Sequence, residues 1–336
     1  MEAIKKMKTM IMLVLLAVAI AVHPQQKSTP ENLPTSGLVS TSGPSFTAAH
    51  VRKDPTVIVY GDQRFTDPSD MKVTNPKVRR WLVEKIAEER PDALLLNGDV
   101  PYSGDKVSDY EVYKTESKPW RDRHINVYPA LGNHEFHGDP QTALEHWWNA
   151  FPELKGRRWY SAQVGKAIYT LSLDSNTSLL PGSNQAHWID EQLTKLPKDV
   201  KFVIISLHHP PVADFQTRYS VSHNPRPNEI ALRDYLENIS PKLHARIIVS
   251  AGHIHNYERI ERGGVTYIVS GGGGASPVRV DRTPEDLYRS NDFPNYHYVK
   301  FILKGDVLTA TMFRLADPGS ESPSWQIGDT FTITAQ

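Results

Sequence analysis

The chain has 336 residues, and its 38 basic side chains balance its 38 acidic ones, so no basic excess marks it for a nucleic-acid partner. A hydrophobic fraction of 39% and a charged fraction of 23% are those of a globular protein and exclude wholesale disorder. The absence of cysteine removes disulfides, thiolate zinc sites and cysteine nucleophiles together, and leaves 14 histidines and the aspartates to carry any metal chemistry.

In chain order, Lys5, Lys6 and Lys8 precede an apolar run over residues 10–22, within which Ala19-Ile20-Ala21 fits a small-x-small cleavage pattern. That order predicts a secretory signal peptide over residues 1–21 and a secreted or periplasmic protein, with an uncleaved anchor as the alternative. The run falls short of the roughly 20 residues a membrane span needs, so no span is expected once the leader is removed. Residues 22–54 are rich in Pro, Ser and Thr and read as a flexible linker. A single folded domain is expected over residues 55–336, long enough for a large core.

Five short apolar runs follow, at 56–60, 93–97, 126–131, 202–207 and 246–251. Runs of this kind, bounded by Gly and Pro, predict strands buried on both faces. Between them, Val78, Trp81, Leu82 and Ile86 follow a helical period after a capping Asn75 and Pro76. Trp188, Ile189, Leu193 and Leu196 predict a second helix, and Ile230, Leu232, Tyr235 and Leu236 a third. Alternation of strands with helices implies a mostly parallel α/β core. Alternating segments at 160–164 and 167–173, and at 296–301 and 307–313, flank Gly-Lys and Lys-Gly-Asp turns and predict antiparallel hairpins, hence mixed sheets. Glycines 271–274 lack the flanking residues of a phosphate loop and read as a close-approach loop after a strand. Trp147-Trp148 and Trp159-Tyr160 read as core or groove wall.

Each of the five runs ends in polar residues: Gly61-Asp62, Gly98-Asp99, Gly132-Asn133-His134-Glu135, His208-His209-Pro210-Pro211 and Gly252-His253-Ile254-His255. Ligands of such sheets lie beyond the carboxyl ends of the strands, so residues far apart in sequence are expected on one edge. Any one of these clusters alone is an ordinary turn. Together they assemble carboxylate, amide-oxygen and imidazole donors suited to hard or borderline cations, and a pair of cations about 3.5–4 Å apart clamps both oxygens of a phosphoryl displacement.

In order and approximate spacing, these clusters resemble those of the calcineurin-like metallophosphoesterases, and most of all the purple acid phosphatases. The resemblance implies a four-layer α/β/β/α sandwich of two mixed sheets and two bound metal ions, Fe(III) plus a divalent Zn, Fe or Mn. It implies Asp62 and His255 on the first metal, Asp99 bridging, and Asn133, His208 and His253 on the second, with His209 beside them. Many relatives carry His two residues after the first Asp; here that position is Arg64, whose guanidinium has no lone pair to give. Tyr102, three residues after Asp99, stands where purple acid phosphatases place an iron-binding phenolate. By the same resemblance the protein is a secreted phosphatase acting on small phosphate monoesters by in-line attack of metal-bound hydroxide. His134 and Asn133 would contact phosphate, His223 would be the general acid, and Arg64 would bind a phosphate oxygen. A phosphodiesterase on the same fold, nucleotide diesters included, and a non-catalytic binding protein are the alternatives.

Overall fold

A computed structural model describes residues 45–214 and 223–336 of the chain. The predicted signal peptide and residues 22–44 of the predicted linker lie outside the described residues. In chain order the strands and helices are β1 (Phe46–Thr47), β2 (Thr56–Tyr60), α1 (Pro76–Glu89), β3 (Ala93–Leu96), α2 (Val107–Glu116), α3 (Lys118–Asp122), β4 (Asn126–Pro129), α4 (Pro140–Ala150), β5 (Tyr160–Val164) and β6 (Ile168–Ser172). Then come α5 (Asn184–Thr194), β7 (Phe202–Leu207), α6 (Pro227–Ile239), β8 (Arg246–Ala251), β9 (Tyr257–Arg262), β10 (Val265–Ser270), β11 (His297–Lys304), β12 (Val307–Leu315) and β13 (Trp325–Thr334).

The strands form two mixed sheets. One has the order β1-β5-β6-β7-β8-β10-β9 and the other β13-β12-β11-β2-β3-β4. The five strands that end in polar clusters pair parallel with one another, β2-β3-β4 in one sheet and β7-β8 in the other, while β2 pairs antiparallel with β11 on its far side. Their continuous apolar character follows from packing on two sides. In β7, Phe202 and Ile204 enter the core between the sheets, while Val203, Ile205 and Leu207 join the cluster that α5 and α6 close with Trp188, Ile189, Leu232 and Leu236. Helices α1–α4 cover the other sheet, where Trp120 stands edge-on to Tyr60 at 6.2 Å and donates Nε1 to the Val83 carbonyl. The layers are therefore helix, sheet, sheet, helix. Each fully buried Leu, Ile or Phe in this stack stabilises it by about 1.5–3 kcal/mol.

The predicted helix signals act as expected. Asn75 caps α1 by accepting from the Val78 amide, and Ser183 caps α5 through the Ala186 amide. Both predicted hairpins form, β5–β6 and β11–β12. The sheet begins ahead of Pro55: Phe46–Thr47 pairs with β5, and Arg52 binds Asp92 at 3.1 Å, so residues 45–54 of the span read as linker pack on the domain.

Three buried side chains join the sheets just below their common rim. Asn97, at the end of β3, donates Nδ2 to Ser250 Oγ of β8 at 2.9 Å and accepts from Ser206 Oγ of β7 at 2.9 Å. A polar cluster fully removed from water is stable only when its partners are satisfied, and here they satisfy one another.

Candidate metal centre

The loops that leave β2, β3, β4, β7 and β8 bring the clusters to one place. One ligand atom from each of Asp62, Asp99 and His208 lies within 4.8 Å of the others, and so does one from each of His208, His209 and His253. The backbone bends sharply to achieve this. Asp62 (φ 65°), Arg64 (φ 47°), Asp99 (φ 56°) and His253 (φ 71°) all sit in the left-handed region, which side-chain-bearing residues seldom occupy outside functional sites.

Asp99 is fully buried between two groups of donors. Its Oδ1 lies 3.2 Å from His208 Nε2 and accepts the His134 amide at 3.0 Å. Its Oδ2 faces Arg64 Nη2 at 3.2 Å and His134 Nε2 at 3.7 Å. On one side, Asn133 Oδ1 stands 2.9 Å from His208 Nε2 and 3.2 Å from His253 Nδ1, and the two imidazole nitrogens are 3.1 Å apart. On the other side, Asp62 Oδ1 and His255 Nε2 are 3.4 Å apart. Asp62 Oδ2 accepts the His253 amide at 2.9 Å, which ties the two sides together.

Carbonyl oxygens fix which imidazole nitrogen faces inward. His208 Nδ1 is 2.9 Å from the Asn97 carbonyl and His255 Nδ1 is 2.6 Å from the Ser276 carbonyl, so each Nδ1 carries the proton and each Nε2 keeps a lone pair. Burial, reinforced by the Arg64 charge, pushes His255 down to about 3, and burial holds His253 well below the usual imidazole range. Burial also opposes ionisation of Asp99, yet the His134, His208 and Arg64 groups outweigh it and hold that carboxyl well below its usual range. Asp62 is pushed up to about 7 by burial and by neighbouring Asp99, against the pull of His208 and Arg64.

A metal fits this arrangement. Asp62 Oδ1 and His255 Nε2 are both buried, face each other, and have no hydrogen-bond partner. Two such atoms left bare in a protein interior are costly, and a cation held between them removes the cost. The full set, three imidazoles, two carboxylates and one amide oxygen without sulfur, suits divalent or trivalent cations of the first transition row.

The remaining predicted residues border this cluster. His134 directs Nδ1 to the Tyr102 carbonyl at 2.5 Å, and its ring packs 3.9 Å from that of His137. Tyr102 is half-buried with its ring 5.2 Å from His134. The His223 ring lies edge-on to His253 at 4.5 Å, and burial, with His255 and Arg64 adding to it, pushes its pKa down to about 4. His209 turns Nδ1 to Ser175 Oγ at 2.8 Å, so of the adjacent pair it is His208 that faces Asp99 and Asn133.

Sequence reading passed over two residues that hold the site together. Glu135 is fully buried and accepts the backbone amides of Asp99 (3.0 Å), Val100 (2.8 Å) and Gly132 (2.7 Å), so one carboxyl fixes the β3 and β4 loops against each other. Its signal was an acidic residue directly after Asn133-His134. Asn97 orients His208 through its carbonyl, and its signal was an amide at the end of an apolar run.

Comparison with known proteins gives a consistent picture. Residues 69–257 match the family model for calcineurin-like phosphoesterases. The chain is 26% identical over 241 residues to probable purple acid phosphatase 20 of Arabidopsis thaliana, covering 63% of this chain and 53% of that protein. It is 30% identical over 191 residues to a probable cyclic nucleotide phosphodiesterase of Ruthia magnifica, covering 56% of this chain and 72% of that one. Among solved structures, purple acid phosphatase PPD1 from yellow lupin superposes with a TM-score of 0.67 at 18% identity, over 87% of this chain and 55% of that one. A dimetal phosphatase from Danio rerio superposes with a TM-score of 0.56 at 15% identity, over 88% of this chain and all of that one. The chain thus spans about half the length of the plant purple acid phosphatases it matches.

Proposed function

Because the chain belongs to the calcineurin-like phosphoesterase family, we propose that it is a metal-dependent hydrolase of small phosphate monoesters, with a pair of cations held by Asp62, Asp99, Asn133, His208, His253 and His255. The observation that carries this reading is Asp99: a buried carboxylate with one oxygen toward His208 and the other toward Arg64 and His134. Tyr102 joins the Asp62–His255 half as an anionic oxygen donor, which favours Fe(III) there beside divalent Zn, Fe or Mn in the other half. When bound, such a pair lowers the pKa of water toward about 7 and neutralises charge on the phosphoryl oxygens.

This chain's own residues do the rest. His134, with Nδ1 committed to the Tyr102 carbonyl and Nε2 3.7 Å from Asp99 Oδ2, borders the space a phosphoryl group would take. Asn133 borders the same space, and Arg64 supplies a planar fork that matches phosphate. His223 would supply the proton that the leaving alkoxide needs, and with its pKa pushed down to about 4 it carries that proton only at acid pH. His223→Ala is therefore expected to lower turnover about a hundredfold on alkyl phosphates while sparing p-nitrophenyl phosphate, whose leaving group needs no proton. Equal loss on both substrates would remove His223 from that role.

Gly132 offers a test of positioning. A Cβ there would meet Asp99 Oδ1 at 2.3 Å and the Asp99 amide at 2.5 Å. Gly132→Ala displaces Asp99 and is expected to cost about a hundredfold in kcat/KM, read against an unchanged far-ultraviolet circular dichroism spectrum.

The reading as a whole is tested by chelation. Removal of metal is expected to abolish p-nitrophenyl phosphate hydrolysis, and readdition to restore it. A visible charge-transfer band that Tyr102→Phe abolishes would identify iron on the phenolate; a colourless, fully loaded, active protein would exclude that ligand. The Ruthia magnifica relative favours phosphodiester substrates as a second reading, and faster turnover of a cyclic nucleotide than of the monoester would decide for it. The lysine-rich apolar leader of residues 1–21 supports action outside the cytoplasm. Among the described residues no helix is long and apolar enough to cross a membrane.

A further inference from the structure

We propose that Arg64 makes the two cation positions unequal toward divalent cations, acting as a resident competitor for the one that Asp62, Tyr102, His255 and Asp99 Oδ2 would share. This rests on the two-cation reading above and concerns what each position can hold.

Arg64 donates to Asp99 Oδ2 from Nη2 at 3.2 Å and from Nε at 3.4 Å, and its side chain is only 15% exposed. Asp99 Oδ1 is already engaged by His208 and the His134 amide, so Oδ2 is the oxygen left for the Asp62–His255 half. The fold delivers the guanidinium there. The Arg64 amide donates to the Asp99 carbonyl at 2.9 Å, and the Arg64 carbonyl accepts from Nη1 of Arg79 at 3.0 Å. Arg79 is itself buried and paired with Glu116 at 2.8 Å, so this left-handed turn is braced from both sides.

The other half is different. Asn133, His208 and His253 meet one another at 2.9–3.2 Å, and none of these contacts involves a guanidinium or ammonium group. A cation entering that half displaces contacts among these side chains but no resident positive charge. One entering the Asp62–His255 half must take Asp99 Oδ2 from a buried, charge-assisted pair of hydrogen bonds or share it with a like charge. Such bonds are strong enough to weaken that position by about ten- to a hundredfold. Once displaced, the fork stands beside the centre with donors directed at no carboxylate, in the right place for a phosphate oxygen.

Stepwise titration of the metal-free protein with Mn(II), followed by calorimetry, and the metal content retained after gel filtration test this directly. The wild-type protein is expected to bind in two steps differing by about tenfold or more, and to retain one cation per chain. Arg64→Gly accepts the left-handed backbone without strain, and Arg64→Gln removes the charge at similar length. In both, the weaker step is expected to tighten about tenfold or more and a second cation to be retained. Two equally tight steps in the wild type would overturn the proposal. So would an unchanged weak step in both variants at a melting temperature no lower than the wild type's. Wild-type protein that takes up no cation at all would instead bring down the two-cation reading on which the proposal stands.

Discussion

Asp99→Asn is expected to lower kcat/KM by at least about a thousandfold and to weaken binding at both cation positions relative to the wild type. The substitution keeps the shape and removes the one charge that faces both halves of the site. Asp99 Oδ1 accepts the His134 amide and its Oδ2 faces the Arg64 guanidinium, so an amide there presents an N–H to a donor on one side or the other. Loss of a shared anionic ligand removes several kcal/mol of charge stabilisation from the displacement, and each 1.36 kcal/mol is a factor of ten. Metal content by mass spectrometry and steady-state kinetics on the same preparation check both halves of this expectation. Near-normal turnover with both metals retained would show that Asp99 is not shared.

Glu135→Ala is expected to produce the largest loss of stability of any single change around the site. It strips the partner from three buried amides, those of Asp99, Val100 and Gly132. A buried donor left unsatisfied costs about 1–3 kcal/mol, so roughly 3–9 kcal/mol is at stake, which lowers the melting temperature by about 6 °C or more in a domain of this size. Glu135→Gln separates charge from hydrogen bonding. Burial and neighbouring Asp99 push the Glu135 pKa up against the pull of the three amides; glutamine keeps an acceptor oxygen for the Asp99 and Gly132 amides and sets its NH2 against the Val100 amide that Oε1 serves. The glutamine variant is accordingly expected to lose less than about 2 kcal/mol. Denaturant unfolding of the two variants side by side measures the difference. An alanine variant within about 1 kcal/mol of wild type would mean that the β3 and β4 loops are held by something else.

Much of this architecture was legible in the sequence because local and global signals coincide. The runs at 202–207 and 246–251 are apolar except for Ser206, Arg246 and Ser250, and β7 and β8 are indeed covered by the second sheet on one side and by α5 and α6 on the other. The parallel direction of these strands then placed their carboxyl ends, and so the polar clusters, on one rim. Other elements carried weaker signals. β13 alternates apolar and polar residues but is broken by Gly328-Asp329 and lies at the edge of its sheet, largely exposed. Helix α2 buries only Asp109, Tyr110 and Tyr113, too narrow a stripe to stand out. In the site, donors could be named from residue type and order. Glu135 and Asn97 could not, because their work is to satisfy particular backbone groups that only the folded chain brings within reach. The position of the Arg64 guanidinium on Asp99 belongs to the same class.

The Asn97–Ser206–Ser250 link has a consequence for the chemistry. Because Asp62, Asp99 and Asn133 follow strands of one sheet while His208, His253 and His255 follow strands of the other, each proposed cation would draw ligands from both sheets, and how well they close around it depends on the thickness of the hydrophobic filling. The sandwich works as a caliper whose jaws carry the ligands and whose hinge pin is an amide. An overpacking substitution deep in the interior, far from any phosphate, would then register as a change in metal affinity and turnover well before it registered as unfolding.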